Sequence, residues 1–118
     1  MRRLVRLTAG WTAAWWLCAA SGASMPLLAD EPPKFELRVK DHRFTPSEIH
    51  LSAGKPYVLV LYNDDDTAEE FDSTALHVEK VVVGGRWALI RLHPLSPGHY
   101  PFMGEFHPDT ARGTVIAE

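Results

Sequence analysis

The feature that most restricts the fold of this chain is a series of short strand-like runs separated by turn residues. FELRV (35–39) and EIHL (48–51) alternate apolar with polar residues, as half-buried strands do. YVLVLYN (57–63) is apolar almost throughout, which is typical of a central strand. Further runs of this kind are LHVEKVVV (76–83), RWALIRL (86–92), HYPF (99–102) and GTVIAE (113–118). No run repeats apolar residues every 3.6 positions, so the pattern predicts an all-β antiparallel sandwich of seven or eight strands.

The first 29 residues have the composition of an export signal. Arg2, Arg3 and Arg6 form a basic start, residues 7–20 carry no charge, and small residues follow. We predict a signal peptide over residues 1–29, cleaved after Ala29, and a single domain over residues 30–118 in the periplasm. The alternatives are cleavage after Ala23 and an uncleaved anchor, which would be the domain's only link to a membrane.

The charge of the predicted domain favours some partners over others. The whole chain has a net charge of −3, but three of its twelve basic residues lie within residues 1–29, whereas all fifteen acidic residues lie after residue 29. The domain therefore has a net charge of −6. This argues against binding nucleic acid, whose phosphates select basic surfaces, and it suits cations or a basic protein partner.

Cysteine usage excludes two kinds of chemistry from the domain. Cys18 is the only cysteine, and it lies within the predicted signal. The domain after residue 29 therefore has neither a disulfide nor a thiolate to offer as a metal ligand.

Two motifs carry a resemblance to a known family. The first is F-x-P-x-x-I-x-L-x-A-G (44–54), followed by an apolar strand that ends at Asn63, and the second is Y-x-F-x-x-x-x-H (100–107) with a later glycine. In this order they resemble the cupredoxins, which implies a cupredoxin-like β-sandwich with Greek-key connections. EEF (69–71) and GEFHPDTARG (104–113) resemble, more narrowly, cupredoxin-like proteins found beside bacterial iron-permease systems.

The resemblance also shows where this chain departs from a blue-copper protein. Such a site uses two histidines and a cysteinate, often with a distant methionine. His107 matches the second histidine, but Gly104 occupies the place of the cysteine. Glu69 and Glu70 lie where the first histidine is expected, and residues 108–113 contain no methionine. The sequence therefore predicts an atypical, non-blue site.

The candidate ligands near one end of the sandwich offer a mixed donor set. They are one imidazole, three carboxylates and one thioether: His107, Glu69, Glu70, Glu105 and Met103. A thioether favours Cu(I), imidazole suits Cu(II), Zn and Fe, and carboxylates favour harder ions, so copper or iron is predicted. Met103 has the opposite strand parity to Gly104, which leaves open whether its side chain points toward the site or away from it.

The remaining histidines and the acidic run are predicted to lie mainly at the surface. His77 either faces solvent or lines the site, and the other histidines are predicted to be surface residues near turns: His42, His50, His93 and His99. Six carboxylates lie between Asp64 and Asp72, which predicts an acidic loop that is either simply solvated, gathers cations, or docks on a basic partner. It lacks the ligand spacing of a calcium loop.

The sequence thus predicts a periplasmic metal-binding protein that handles copper or iron for iron uptake. The resemblance implies an iron permease or a periplasmic iron-binding protein as partner, and a helper in copper-dependent Fe(II) oxidation is the enzymatic alternative. The competing interpretation is a metal-free docking module for a periplasmic or permease partner. No catalytic residue is predicted, because no nucleophile–base pair can be placed.

Overall fold

The computed structural model describes residues 22–24 and 30–118. Within this part the chain forms nine strands: β1 (Lys34–Lys40), β2 (Arg43–Thr45), β3 (Glu48–Leu51), β4 (Tyr57–Asn63), β5 (Glu69–Ser73), β6 (Val78–Val82), β7 (Trp87–Leu92), β8 (Gly98–Gly104) and β9 (Arg112–Ala117). Apart from residues 22–24, the predicted signal peptide lies outside the described residues. A search of the described residues for a helix with the length and apolar character of a membrane span finds none.

The strands form two sheets that face each other. One sheet has the order β2-β1-β4-β7, and the other has the order β3-β9-β8-β5-β6. Most neighbours are antiparallel, but β1 pairs with β4 and β3 pairs with β9 in parallel. Strands that are distant in sequence therefore lie side by side, and the turns at one end of the sandwich come together.

The core lies between the sheets and follows from the period-2 alternation. On β1 the side chains of Leu37 and Val39 are fully buried, while Arg38 between them faces outward. The rings of Phe44, Phe71 and Phe102 contact one another across the sandwich, with centroids 4.9 to 6.1 Å apart. These aromatic contacts join the two sheets and supply much of the buried apolar area.

The all-β sandwich predicted from the sequence is confirmed, with two refinements. The described part has nine strands instead of seven or eight, and both sheets are mixed because of the two parallel pairings. The F-x-P motif spans the end of β2, and its Thr45–Pro46 peptide bond is cis. LHVEKVVV contributes one strand, β6.

The predicted acidic loop is only partly a loop. Its second half, from Glu69 onward, forms β5, which pairs with β6 on one side and β8 on the other. The reason is alternation: Glu69, Phe71 and Ser73 face the core, and Phe71 is fully buried. The E-x-F-x-S spacing of residues 69–73 is therefore a strand pattern, which the acidic residues made difficult to recognise in the sequence.

Candidate metal centre

The centre of the candidate site is an ion pair or hydrogen bond between β5 and the β8–β9 loop. Glu69 opens β5 with its side chain turned inward, and the residue is only 1% exposed. Its Oε2 lies 2.6 Å from Nδ1 of His107. A buried carboxylate is costly unless it is paired, so this contact accounts for an acidic residue inside the sandwich.

The other oxygen of Glu69 is equally well occupied. Oε1 accepts hydrogen bonds from the backbone N–H groups of Glu70 and Phe106, both at 3.0 Å. With His107, the carboxylate thus has three donors. Among the described residues no buried side-chain nitrogen or oxygen is left without a partner. Glu69 therefore ties the start of β5 to the β8–β9 loop, and it holds the imidazole in one orientation.

Gly104 lies directly against this carboxylate. A Cβ added at Gly104 would lie 2.6 Å from Cδ of Glu69, 2.7 Å from its Oε1 and 2.7 Å from Cβ of Ala111. No other residue type fits there unless Glu69 moves. The space into which a cysteine at this position would project is thus filled by the carboxylate of the neighbouring strand.

The orientation of His107 determines which of its nitrogens is free. The loop curls back through hydrogen bonds from His107 N–H to the carbonyl of Gly104 and from Ala111 N–H to the carbonyl of His107. An ionised carboxylate can only accept hydrogen bonds. Nδ1 of His107 is therefore protonated and donates its hydrogen bond to Glu69. In the neutral ring Nε2 then has the lone pair. This is the carboxylate–histidine arrangement that commonly orients a metal-binding imidazole.

A second imidazole, which the sequence interpretation placed on the surface, covers the first. The rings of His42 and His107 are stacked, with centroids 3.5 Å apart and an interplanar angle of 9°. His42 lies in the two-residue turn between β1 and β2, far from His107 in the chain. Nothing in the local sequence of His42 distinguishes it from the other histidines near turns, so only the tertiary contact reveals it.

The turn that carries His42 is held in place by Asp65. Both turn residues have positive φ, 52° at Asp41 and 55° at His42, and neither is a glycine. The backbone N–H of Asp41 donates to Oδ1 of Asp65 at 2.7 Å, and that of His42 donates to Oδ2 at 2.9 Å. Asp65 is itself fixed by its N–H bond to Oδ1 of Asn63 at 3.1 Å. A carboxylate from the β4–β5 loop thereby stabilises a turn that usually needs glycine.

These hydrogen bonds also affect the acidity of Asp65. Burial raises its pKa, but the N–H bonds from His42 and Asp41 together with nearby positive charge outweigh that effect, so the pKa lies below its ordinary value of 3.8. Asp64 is engaged as well, because both of its carboxylate oxygens accept from Nη1 of Arg38, at 3.0 and 3.1 Å. With Glu69, three of the six carboxylates in the acidic run thus have structural partners.

The other predicted ligands lie on the opposite face of the five-stranded sheet. Glu70 alternates with the inward-facing Glu69, and Met103 alternates with Gly104, so both face outward and are half-buried. Glu105 is exposed, and its interaction with Asp72 is the largest cause of its raised pKa; burial and the charges of Glu70 and Glu79 add to it. The structure therefore brings Glu69 and His107 together, and it separates them from Met103, Glu70 and Glu105.

The donors present can be compared with what a metal needs. Among residues 22–24 and 30–118, no group of three or more histidine, cysteine, aspartate and glutamate side chains is arranged to hold a metal ion. A blue-copper centre does not fit, because Gly104 offers no thiolate and Met103 faces away. An imidazole oriented by a carboxylate offers Nε2 to a borderline ion whose remaining ligands come from elsewhere. The predicted ligand roles stay predictions.

Comparison with known sequences identifies the family. The model of the cupredoxin-like domain matches residues 8–117, so the chain belongs to that family. It is also similar to the uncharacterized protein RP394 of Rickettsia prowazekii, with 42% identity over 81 residues, which cover 69% of this chain and 65% of that protein. The match thus spans a little less than two thirds of that relative's length.

Solved structures with the same fold have low sequence identity to this chain. Auracyanin A, a "blue" copper protein of Chloroflexus aurantiacus, has a TM-score of 0.63 and 11% identity, covering 73% of this chain and 99% of its own. The Cu(I)-bound metal-binding domain of the exporting ATPase CopA from Streptococcus pneumoniae has a TM-score of 0.64 and 14% identity, covering 75% and 89%. Amicyanin of Paracoccus versutus has a TM-score of 0.55 and 15% identity, and the match covers 79% of this chain and 86% of amicyanin. At these identities the likeness establishes the fold alone.

Proposed function

We propose that this domain binds a copper or iron ion through Nε2 of His107, whose imidazole Glu69 orients, and serves metal handling rather than blue-copper electron transfer. One observation carries the proposal: a buried carboxylate lies 2.6 Å from an imidazole nitrogen in the space beside Gly104. Both side chains are held by the fold before any ion arrives, which lowers the entropic cost of binding. A bound copper ion would supply one-electron redox chemistry, whereas His107 would bind the ion and Glu69 would orient the imidazole.

The setting we propose for this activity is iron uptake in the periplasm. It is supported by the likeness of EEF and GEFHPDTARG to proteins beside iron permeases, by the predicted export signal, and by the acidic charge of the domain. An acidic surface raises the local concentration of cations near the site. An iron permease or a periplasmic iron-binding protein is the partner that this setting requires.

The test is a metal titration of the purified domain followed by thermal unfolding. At a free Cu(II) or Fe(II) concentration of a hundred times Kd, binding to the folded state alone stabilises a domain by about 2.7 kcal/mol. For a domain of this size each kcal/mol corresponds to roughly 4–8 °C in Tm. We expect such a rise in the wild type and its loss in His107→Ala and in Glu69→Gln.

The matched control is His99→Ala, which removes an exposed histidine outside the site and should keep the full metal-dependent rise. If neither ion raises the Tm of the wild type, the proposal is refuted. An equal rise in the wild type and in His107→Ala would mean that other residues hold the ion, and it would refute the assignment of this site.

A second candidate function, docking on a protein partner, is favoured by an exposed apolar surface. Four large side chains on and beside the edge strands β6 and β7 are 40 to 63% exposed: Val81, Val83, Trp87 and Leu89. Three exposed basic residues surround them: Lys80, Arg86 and Arg91. Exposed tryptophan and arginine are the residue types that dominate binding energy at interfaces. We propose a partner with an apolar centre and a rim of carboxylates, instead of the basic partner that the acidic loop suggested.

Docking can be separated from metal binding by two variants measured against a purified iron permease in detergent. Trp87→Glu should abolish binding, because it places a charge in the apolar centre, whereas His107→Ala should leave binding unchanged. Failure of the wild type to bind the permease, or equal binding by Trp87→Glu, would exclude this candidate.

A further inference from the structure

The free edge of β7 is a feature that neither the metal site nor the core explains. β7 is the last strand of the four-stranded sheet, and β6 is the last strand of the five-stranded sheet. Residues 80–83 and 86–89 of these two strands and their connection line one groove. Because the strands belong to different sheets, the groove separates two strand edges.

The core is open along this groove. Lys80 and Val82 have the same strand parity on β6, yet Val82 is buried and Lys80 is exposed. On β7 the inward-facing Ile90 and Leu92 are buried, whereas Ala88, which has the same parity, is only half-buried. The sheets therefore do not close over each other here, and the edge of β7 stays accessible.

The register of β7 determines which backbone groups lie on that edge. The N–H of Asn63, at the end of β4, donates to the carbonyl of Arg86 at 2.8 Å. In an antiparallel pair, residues that bond to the partner strand alternate with residues whose backbone groups point away from it. Three residues of β7 therefore direct their N–H and C=O groups away from β4: Trp87, Leu89 and Arg91. Within the described residues, no turn or loop backbone bond reaches these groups.

The side chains along the edge are suited to an apolar and acidic segment. Trp87 and Leu89 are 61% and 40% exposed, and Arg91, two positions further along β7, is exposed as well. Lys80 and Arg86 add positive charge beside the groove. Among residues 22–24 and 30–118, none of these three basic side chains takes part in a salt bridge. Their charges are thus available to carboxylates of a partner.

We propose that the free edge of β7 binds an extended segment of the docking partner as an added antiparallel strand. The inference rests on the docking function proposed above, and it specifies the mode of binding and the kind of segment. The segment has a carboxylate opposite Arg91 and apolar residues opposite Leu89 and Trp87, in the order acidic-x-apolar-x-apolar. In strand addition, backbone hydrogen bonds supply affinity and alternate side chains supply specificity. Antiparallel pairing is the slightly more stable arrangement per residue.

The probe is a short synthetic peptide with capped ends, in which threonines alternate with one glutamate and then two valines. Amide hydrogen exchange of the purified protein is followed by nuclear magnetic resonance with and without the peptide. The peptide should slow exchange at Trp87, Leu89 and Arg91, which is fast in the free protein. The amides of Ala88 and Ile90 bond to β4 and should be protected in both states.

Two methylated peptides of equal composition test the backbone bonds directly. N-methylation of both valines removes the donors that face β7, and it should raise the Kd at least about 10-fold. N-methylation of the two threonines that precede the valines affects amides that point away from β7. That peptide should bind with the Kd of the parent peptide.

A charge reversal tests the register. Arg91→Glu should weaken binding of the parent peptide, and it should restore binding when lysine replaces the glutamate of the peptide. Arg43→Glu is the matched control, because Arg43 is an exposed arginine on β2, the opposite edge strand of the same sheet. It should leave the Kd of both peptides unchanged.

The alternative results separate this inference from the docking function. No protection of the three edge amides, or equal affinity for the two methylated peptides, would overturn the inference. Permease binding that is lost in Trp87→Glu would then show docking through side chains alone. Protection by the peptide without any permease binding would support strand addition and refute the permease as partner. A free protein that is a dimer, with these amides already protected, would also overturn the inference, because a second copy would occupy the edge.

Discussion

At the scale of the residue, the most informative side chain is Glu69. It is a carboxylate inside a β-sandwich, with one oxygen bound to two backbone N–H groups and the other to an imidazole. The same side chain fills the space beside Gly104 and fixes the tautomer of His107. Structural and functional roles coincide here, so substitutions at Glu69 must be designed to separate them.

Glu69→Ala should destabilise the domain more than Glu69→Gln. Alanine leaves three part-buried donors without their acceptor, and each donor that water cannot reach costs about 1–3 kcal/mol. Glutamine keeps a carbonyl oxygen for the two backbone donors, so a cost of about 1–2 kcal/mol is expected. Urea unfolding of the metal-free proteins measures both free energies. Equal costs would show that the three hydrogen bonds are not what Glu69 contributes.

Glu69→Gln should also reverse the tautomer of His107. The amide of glutamine donates to Nδ1, which then needs its lone pair, so the ring proton moves to Nε2 and the site loses its free nitrogen. The nitrogen chemical shifts of His107 distinguish the two tautomers in a labelled sample. An unchanged shift pattern in the variant would contradict the proposed hydrogen-bond direction in the wild type.

At the scale of the element, the β8–β9 loop shows why replacing one residue cannot restore a blue-copper site. A cysteine at Gly104 would place its Cβ 2.6 Å from Cδ of Glu69. A thiolate there would also lie against a buried carboxylate, which disfavours ionisation of the thiol. The loop and β5 therefore have to change together.

We expect Gly104→Cys alone to be destabilised and to give no intense visible absorption with Cu(II). Combined with Glu69→His, it removes the negative charge and the contact with the carboxylate and assembles two histidines with a cysteinate, while the 2.7 Å contact with Cβ of Ala111 must relax. The double variant should develop the thiolate-to-copper absorption band that a spectrophotometer detects directly. A blue colour in the single variant would show that the Glu69 side chain moves aside easily.

The β1–β2 turn is the second element whose behaviour follows from one carboxylate. The pKa of Asp65 is lowered in the folded state, mainly by the N–H bonds of His42 and Asp41, which outweigh the opposing effect of burial. A group with a lowered folded pKa contributes stability above its unfolded value, and that contribution is lost as the pH falls through the folded value. The turn should therefore loosen only below about pH 3.8.

Amide hydrogen exchange at Asp41 and His42 measures this directly. Exchange at these two amides, corrected for intrinsic rates, should be slow above pH 3.8, faster at lower pH, and fast at all pH values in Asp65→Ala. Asp66→Ala is the matched control, since its carboxylate is exposed and should not affect protection. Equal protection in both variants would exclude Asp65 as the residue that holds the turn.

At the scale of the whole molecule, the site depends on the two sheets remaining joined. Phe102 on β8 is 3% exposed. It contacts Phe71 in its own five-stranded sheet and Phe44 on β2 in the four-stranded sheet. Gly113 on β9 leaves room for this ring, because a Cβ there would lie 2.3 Å from it. The domain has no disulfide after residue 29, so packing of this kind carries its stability.

Phe102→Ala should lower the free energy of unfolding by about 3–5 kcal/mol, a large part of the total for a small domain. It should also weaken metal binding, although Phe102 is no ligand, because Gly104 and His107 follow it in the same strand and loop. Trp87→Ala, at a side chain that is 61% exposed, should stay within about 0.5 kcal/mol of the wild type in the same denaturant titration. A small effect of Phe102→Ala would contradict the role assigned to the aromatic contacts.

The sequence by itself determined the class of fold and the absence of a thiolate. Alternation within each run is a local property, and it is enough to predict the sandwich; the F-x-P and Y-x-F-x-x-x-x-H motifs then narrow it to a cupredoxin. The strand β5 was overlooked because its charges conceal the alternation of Glu69, Phe71 and Ser73. The lack of any cysteine after residue 29 is read directly from the sequence.

Only the tertiary structure decided which side chains meet at the site. Glu69 and His107 are 38 positions apart, and their contact depends on the pairing of β5 with β8. His42 reaches His107 because β1 pairs in parallel with β4, which brings the β1–β2 turn to the carboxylate of Asp65. Such contacts depend on strand order and register, and no local pattern encodes these, because they are set by how all nine strands bury their apolar faces together.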